Sequence, residues 1–547
     1  MAWVETVRQA GEAALLVDVG GQGAAHRLRA AVLDSGMPGV VEVVVGARTV
    51  LVRFDSSVSA LGVGRLAELA TGGSAGGGAG AGGGAGAGGG AGAGGGAAGE
   101  GGGVLEVPVT YDSPDLEEVA ELTGLSVEEV VRRHLAGTYT VGFMGFSPGF
   151  AYLTGLDPTL VLPRRDTPRS RVPAGAVGIG GTHTGVYPQA TPGGWRLLGT
   201  TRLVAFDPLL SPPSPFVPGR RVKFVPETLA GGPPDPNRVK FVCHRHTNLT
   251  QFGGSLLVVK AGPLTTVQDR GRAGLAHLGV PGAGAVDLPS LCRANDLVGN
   301  PPEAAGLEAT LLGPELQADA PAVIALTGGL VDAALDGEPI PMGIAVPVPA
   351  GSGLSVGPLK TGLRTYIAVA GGIAVDPVLG SRSTDTLSGL GPPSLRDGDR
   401  LPFGNYDTAA VLEAIAGNLA RPLRGPPSRL KEARVLLGPR DDWFTDESVG
   451  SLLTSDWQVS PACDRTGARL TGPPLARSHP DAELLPEPMV PGAIQVPPNG
   501  QPIVLLANHP ATGGYPVIAV LATHDIAVVA QARPGEVIRF RRLESRR

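Results

Sequence analysis

The sequence predicts a mainly β protein made of several barrel-like domains, with a small α+β lobe at its N-terminus. Three observations carry that prediction. From residue 104 onward, apolar residues come in short runs punctuated by GG, PG and GP, too short for helices and bounded by turn formers. Helical periodicity is confined to a handful of segments. Finally, residues 72–103 are glycine and alanine except for Ser74 and Glu100, a tract with nothing to bury that separates the lobe from the rest. At 547 residues the chain exceeds what one hydrophobic core supports and divides into roughly three to four domains.

Residues 1–71 hold an AALLVDV strand, an AHRLRAAVLDS helix, and the strands VVEVVVGA and TVLVRFD, a βαββ unit. The glycine and alanine tract 72–103 reads as a flexible linker that spans about 30 Å as a random chain. It contains GAGAGG at 78–83, a formal GxGxxG, but no strand precedes it and no helix follows, so it is no dinucleotide loop. In residues 104–226 the segments DLEEVAELTG and SVEEVVRRHLAG form a helical pair, with Ser126 as N-cap and Glu129 three residues on; the remainder is strands. Residues 227–254, rich in proline, glycine and polar side chains, form a second linker. Residues 255–547 repeat the β texture in SLLVVKAG, PAVIALTGG, RTYIAVAGG, ARVLLGP, QPIVLLAN and YPVIAVLA, with one helix at LPSLCRANDLVG and a weaker proline-rich break at 421–428.

Composition excludes several classes of function. Net charge is -6 and spread along the chain, which gives no basic field for nucleic acid and no polybasic patch for a membrane surface. No apolar run reaches the ~18 residues needed to cross a bilayer, and MAWVETVRQAGEAALL lacks the basic start and apolar core of a signal peptide. Cytoplasmic localisation is expected. Cys243, Cys292 and Cys463 are odd in number and far apart, which suits a reducing compartment. His244 and His246 beside Cys243 have no partner cluster, so no metal site is assigned.

No P-loop, HExxH, paired CxxC or GxSxG elbow is present. Polar residues gather instead in glycine-rich turns, at 167–195, 265–287 and 463–472. Arg169 and Arg171, at i and i+2, point to one side of a strand, a spacing that grips a carboxylate or phosphate or is simply solvated. The stretch GFMGFSPGFAYL at 142–153 places aromatics on a backbone bent by glycine and proline. Such a loop either plugs the end of a barrel or lines a site.

GFSPGFAYLTGLDP, LPRRDTPRSRVPAGAVGIGG and TGVYPQATPGGWRLLGTT resemble the B subunit of prokaryotic ATP-dependent 5-oxoprolinase, the KipI family. KAGPLTTVQDRGRAGLAHLGVPGAGAVD, ANDLVGNPPEAAGLEATLLGPEL, LGSRST and IQVPPNGQPIVLLANHPATGGYPVIAV resemble the C subunit, the KipA family. The chain therefore resembles a B and C fusion, and the same modules are similar to the carboxyltransferase region of urea carboxylase. The resemblance implies a ferredoxin-like N-terminal lobe and cyclophilin-like barrels. It also places the GFxPGFxYL loop, with Phe146, Pro148, Gly149 and Phe150, after a motif histidine represented by His134, at the cleft of the barrel.

The implied reaction is ATP-dependent hydrolysis of 5-oxo-L-proline to L-glutamate, with ATP and Mg²⁺ as cofactors and a separate A subunit of the LamB/YcsF type as partner. Arg169, Arg171, Arg270, Arg465 and Arg469 are candidates to bind anions. Asp269, Asp287, Glu308 and Asp464 are candidates to meet magnesium, His134, His183 and His277 are candidate bases, and Gln189 is a candidate substrate contact. The sequence departs from the family pattern at His183, where glutamine is usual, and at Asn508, where aspartate is usual. Thr466 and Ala468 also replace a common asparagine and aromatic. Two other readings stay open: carboxyl transfer from carboxybiotin to urea or a related amide, and non-catalytic inhibition of a histidine kinase. None of the five lysines lies next to methionine, so no covalent biotin is expected on this chain.

Overall fold

The strands of the N-terminal lobe are apolar at consecutive positions, and a strand of that kind must be covered on both faces. The computed structural model describes residues 3–58, 64–66, 68, 103–227, 253–407, 409, 411, 413 and 430–543. Residues 72–102 of the predicted first linker, 228–252 of the second with Cys243, His244 and His246, and the break at 421–428 lie outside the described residues. In the lobe, Val4–Gln9, Ala14–Val19, Thr49–Phe54 and Val40–Val45 form a four-stranded antiparallel sheet in that spatial order. The edge strand Val4–Gln9 is not among the predicted ones: none of its residues is fully buried, a weak apolar signal. Helix α1, Gln22–Asp34, covers one face. Leu15, Val17, Val43, Val45, Val50 and Val52 pack there, in one cluster with aromatic residues of the next module. The alternate residues Ala14, Leu16, Val44 and Leu51 pack instead against Met489, Val490, Val517 and Val520 at the other end of the chain. The lobe is thus the filling between two larger bodies.

The second body closes a seven-stranded sheet that runs from Arg196–Thr200 to Leu105–Val109. Closure comes from a bridge between Thr110 and Thr200, with hydrogen bonds of 2.9 and 2.8 Å. Helices α2 (Asp115–Thr123) and α3 (Val127–Ala136) cover one end. The Ser126 hydroxyl accepts the Glu129 N–H at 3.3 Å, as its sequence position predicts.

Residues 253–543 hold two bodies rather than one repeated texture. A six-stranded and a five-stranded sheet enclose a core of Leu256, Val258, Leu307, Ile324, Ile367 and Phe403, and helix α4 (Leu288–Leu297) packs on the second sheet. After it comes a closed seven-stranded barrel from Leu430–Leu437 to Val537–Arg542, filled by Trp457, Ile518, Ile538 and Phe540.

Arg440 of this barrel clamps the N-terminal lobe to it. Its guanidinium bonds both Asp18 of the lobe and Glu487 of the barrel, and Arg8 reaches Asp18 at 3.1 Å and Asp442 at 3.0 Å. Burial pushes the Glu487 carboxyl up. Removing the cation would leave two buried or half-buried carboxylates facing each other. Arg440→Met is therefore expected to cost about 3–5 kcal/mol of stability. Denaturant unfolding checks this, and a change under about 1 kcal/mol would show that the clamp is incidental.

Candidate functional site

Loop 145–150 stands where the second body meets the C-terminal half. Phe146 has φ 64°, a left-handed conformation that costs a bulky side chain on the order of 1–3 kcal/mol. The conformation is held by short-range bonds, from Gly145 N–H to Phe150 O at 3.1 Å and from Phe150 N–H to Ser147 O at 3.0 Å. It is also held from across the junction, where Gly149 N–H donates to Leu278 O at 2.9 Å. Both glycines are obligatory for lack of room. A Cβ on Gly145 would stand 1.9 Å from Thr512 Oγ1, and one on Gly149 would stand 2.4 Å from Phe206 Cβ. Phe206 continues the seam by packing with Leu278, Val280 and Leu390.

The loop's two aromatics divide between the interior and the surface. Phe150, 2% exposed, is the hub of an edge-to-face cluster, with centroids 5.1 Å from Tyr152, 5.1 Å from Tyr187 and 5.2 Å from Trp195. Phe146, 39% exposed, leans on Phe150 at 5.3 Å and presents the open edge of the cluster. His183 meets Phe143 and Tyr152 edge-on, and burial together with the charge of Arg164 lowers its pKa to about 4. Arg164 and Arg169 both bear electrostatically on Tyr187. Arg169 is committed to Asp115 and to Trp195 O, whereas Arg171 is exposed and, among the described residues, makes no ion pair or hydrogen bond. Gln189 is half-exposed in the turn beyond His183–Val186. Arg164, Tyr187 and Trp195 are not singled out by the sequence, though all three lie within or beside the glycine-rich turn at 167–195.

A second group lies behind the junction, buried in the C-terminal half. Asp269 accepts from Gly271 N–H, Arg382 N–H and the hydroxyls of Ser381 and Ser383, a fully occupied carboxylate. Glu308, 1% exposed, accepts from Val286 N–H at 2.9 Å and Tyr366 OH at 2.8 Å and is paired with Arg465. Burial works to raise its pKa, but Arg465 and Arg364 outweigh it and hold the carboxyl low. Asp287 caps α4 through Ser290 and accepts from Gln531 at 2.7 Å; burial raises its pKa. Asn508 bridges the two halves, accepting from Arg465 Nε at 3.3 Å and donating to Asp385 Oδ1 at 2.6 Å. These residues lie on both sides of the seam between the two C-terminal bodies, which they stitch together.

The remaining candidates lie apart. His134 is fully buried on α3, with Nδ1 2.7 Å from Tyr111 OH and Nε2 2.9 Å from Thr184 Oγ1. Thr184 spends its proton on Gly178 O, so Nε2–H donates to Thr184 and Nδ1 accepts from Tyr111. Burial lowers the pKa of His134 to about 3, and both nitrogens are used. Its ring nitrogens are thus occupied by Tyr111 and Thr184 in this structure. Asp464 caps its own turn through Thr466 and Gly467 N–H, Arg469 is exposed, and Arg270 pairs with Glu303 on the surface. His277 sits in the loop against the N-terminal lobe. Among the described residues no group of three or more His, Cys, Asp or Glu is placed to hold a metal, and no helix is long and apolar enough to cross a membrane.

This arrangement has known counterparts. Residues 5–216 match the carboxyltransferase domain, subdomain C and D, and residues 278–542 match subdomain A and B. The C subunit of the 5-oxoprolinase of Escherichia coli (strain K12) is 40% identical over 293 residues, covering 52% of this chain and 90% of that protein. The chain belongs to the carboxyltransferase-domain family of the 5-oxoprolinase subunits. The B subunit of the same enzyme from Escherichia coli O157:H7 is 52% identical over 126 residues, 22% of this chain and 58% of that protein. A 35% identical stretch of the urea amidolyase of Saccharomyces cerevisiae covers 51% of this chain but only 16% of that protein. The solved structure of TTHA0988 aligns over 98% of this chain and 100% of its own at TM-score 0.78 and 34% identity. Within the family, this chain joins a B-type and a C-type module in one polypeptide, and the GFSPG loop is one of the places where they touch.

Asn508 has a physical reason to be an amide. An ionised aspartate there would face Asp385 and lose the donor that bridges them. Asn508→Asp is expected to lower stability by about 1–3 kcal/mol at neutral pH and by less at acidic pH, where protonation of the introduced carboxyl restores the donor. Unfolding measured at the two pH values checks it; an unchanged or more stable variant would contradict the reading.

Proposed function

We propose that this chain is the fused B and C component of an ATP-dependent 5-oxoprolinase, opening 5-oxo-L-proline to L-glutamate together with a separate A subunit of the LamB/YcsF type. The observation that carries the reading is the junction itself. A strained aromatic loop of the B-type module is set by contacts from the C-type module, so the two kinds of module form one site-bearing unit. Similarity to proteins named for that enzyme supports the reaction.

Lactam hydrolysis is slow because amide resonance deactivates the carbonyl. Transfer of a phosphoryl group from ATP to the lactam oxygen makes the carbon electrophilic, after which water adds, phosphate leaves and the ring opens. The residues present suit such a ligand pair. Phe146 offers an exposed ring edge, Arg164 is an exposed guanidinium whose charge reaches the same aromatic cluster, and Arg171 is another on the strand Arg169–Val172. Both are suited to phosphoryl or carboxylate oxygens. Magnesium is expected to arrive coordinated by the nucleotide phosphates. Cytoplasmic action follows from the same reading.

A second reading, carboxyl transfer to urea or a related amide, draws on the urea amidolyase match. Purified chain with the A subunit added is expected to form glutamate from 5-oxoproline with stoichiometric ADP, and to form little alone. Carboxyl transfer from carboxybiotin without ATP would favour the second reading instead. In the active mixture, Arg171→Ala is expected to lose roughly ten- to hundredfold in kcat/KM, the worth of a charge-assisted contact of about 1.5–3 kcal/mol, while His183→Gln keeps most activity. The reverse ranking would make His183 the base.

A further inference from the structure

Helix α1 carries a cation, Arg29, that no carboxylate among the described residues balances. Arg29 is half-buried, its Nε is buried without a hydrogen-bond partner, and among the described residues no carboxylate pairs with it. His26, three residues earlier on the same face, has Nε2 equally buried and unpartnered. Its Nδ1 lies 3.7 Å from where a Cβ on Gly219 of the B-type module would stand.

The C-type module closes the third side. Helix α1 packs on strand Val40–Val45, whose Glu42 accepts the Ala276 N–H at 2.7 Å, so that His277 follows directly at this contact. Glu42 is committed to that amide and to Arg53 at 3.6 Å. Burial, with the charge of Arg29 added, lowers the pKa of both His26 and His277 to about 4, so Arg29 is electrostatically near both. The pKa of Arg29 is itself lowered by burial, with no acid opposing the shift. A desolvated guanidinium is expected to have a counter-charge.

We infer that the junction of α1, the Gly219 turn and the His277 loop is an oxyanion site, in which Arg29 and the Nε2–H of His26 bind a carboxylate or phosphate group. This holds independently of the reaction the chain performs. Nothing on the chain fills the counter-charge position among the described residues, and the three bodies that converge there make the site sensitive to how they dock.

The test uses the full chain in thermal unfolding, with sodium phosphate compared with sodium chloride at matched ionic strength. Phosphate well above its Kd is expected to raise Tm by about 2–4 °C. Arg29→Met keeps the packing of the stem, abolishes that rise, and leaves the ligand-free Tm equal or higher, because a desolvated charge has been removed. Parallel titrations with ADP and with 5-oxoproline, read as the difference between wild type and Arg29→Met so that binding at the proposed catalytic site cancels, assign the source: a difference with ADP alone supports a phosphate ligand, and a difference with 5-oxoproline alone supports a carboxylate. The inference is overturned if none of the three anions stabilises the wild type more than it stabilises Arg29→Met. Should Arg29→Met fail to fold, calorimetric titration of the wild type with phosphate decides, and absence of binding heat overturns it.

Discussion

A sheet with apolar residues on both faces cannot stand at a surface, and this constraint organises the whole molecule. Leu15, Val17, Val43, Val45, Val50 and Val52 point to one side of the N-terminal sheet and Ala14, Leu16, Val44 and Leu51 to the other. Each face buries enough apolar area that leaving either in water would cost several kcal/mol. The helix side is therefore closed by the aromatic cluster of the B-type module and the open side by the C-terminal barrel. Sequence-distant ends of the chain are thereby brought together, and the GFSPG loop is pressed against the C-type module as a consequence.

The polar contacts act on top of that burial and fix the geometry. Arg440 between Asp18 and Glu487, and Asn508 between Arg465 and Asp385, are interior contacts whose worth lies in orientation more than in net energy. The strain at Phe146 persists because both Gly149 and Gly145 are held by residues elsewhere in the chain, Leu278 and Thr512 of the C-type module among them. A loop set in this way draws part of its support from the docked assembly. That is a physical reason for joining the two kinds of module in one chain.

Much of this is legible in the sequence because it depends on local chemistry. Short apolar runs between glycines mark the strands, Ser126 with Glu129 marks the start of α3, and the bent aromatic stretch marks the junction loop. The near-continuous apolar character of AALLVDV and VVEVVVGA already implies two buried faces. What covers the second face is not legible, because the partner residues Met489, Val490 and Val520 lie more than 400 positions away. The partners of the candidate site residues are not legible for the same reason. His134, Asp269, Glu308 and Asp287 have residue types suited to catalysis, but whether a carboxylate or imidazole is free depends on partners such as Ser381, Tyr366 and Thr184 that only the fold supplies. Arg171 and Arg169 have equal standing as a pair in the sequence, and the contacts of Arg169 with Asp115 and Trp195 O separate them.

Hydrogen exchange in the strands Ala14–Val19 and Thr49–Phe54, compared with the closed barrel strands Val517–Leu521 and Val537–Arg542, tests the central claim most directly. If the lobe is held by burial on both faces, its amides exchange only through the opening that exposes the barrel, with equal free energies and equal denaturant dependence. If the lobe strands exchange several kcal/mol more easily, through an opening of their own that leaves the barrel protected, then the lobe is a loosely attached unit and the account is contradicted.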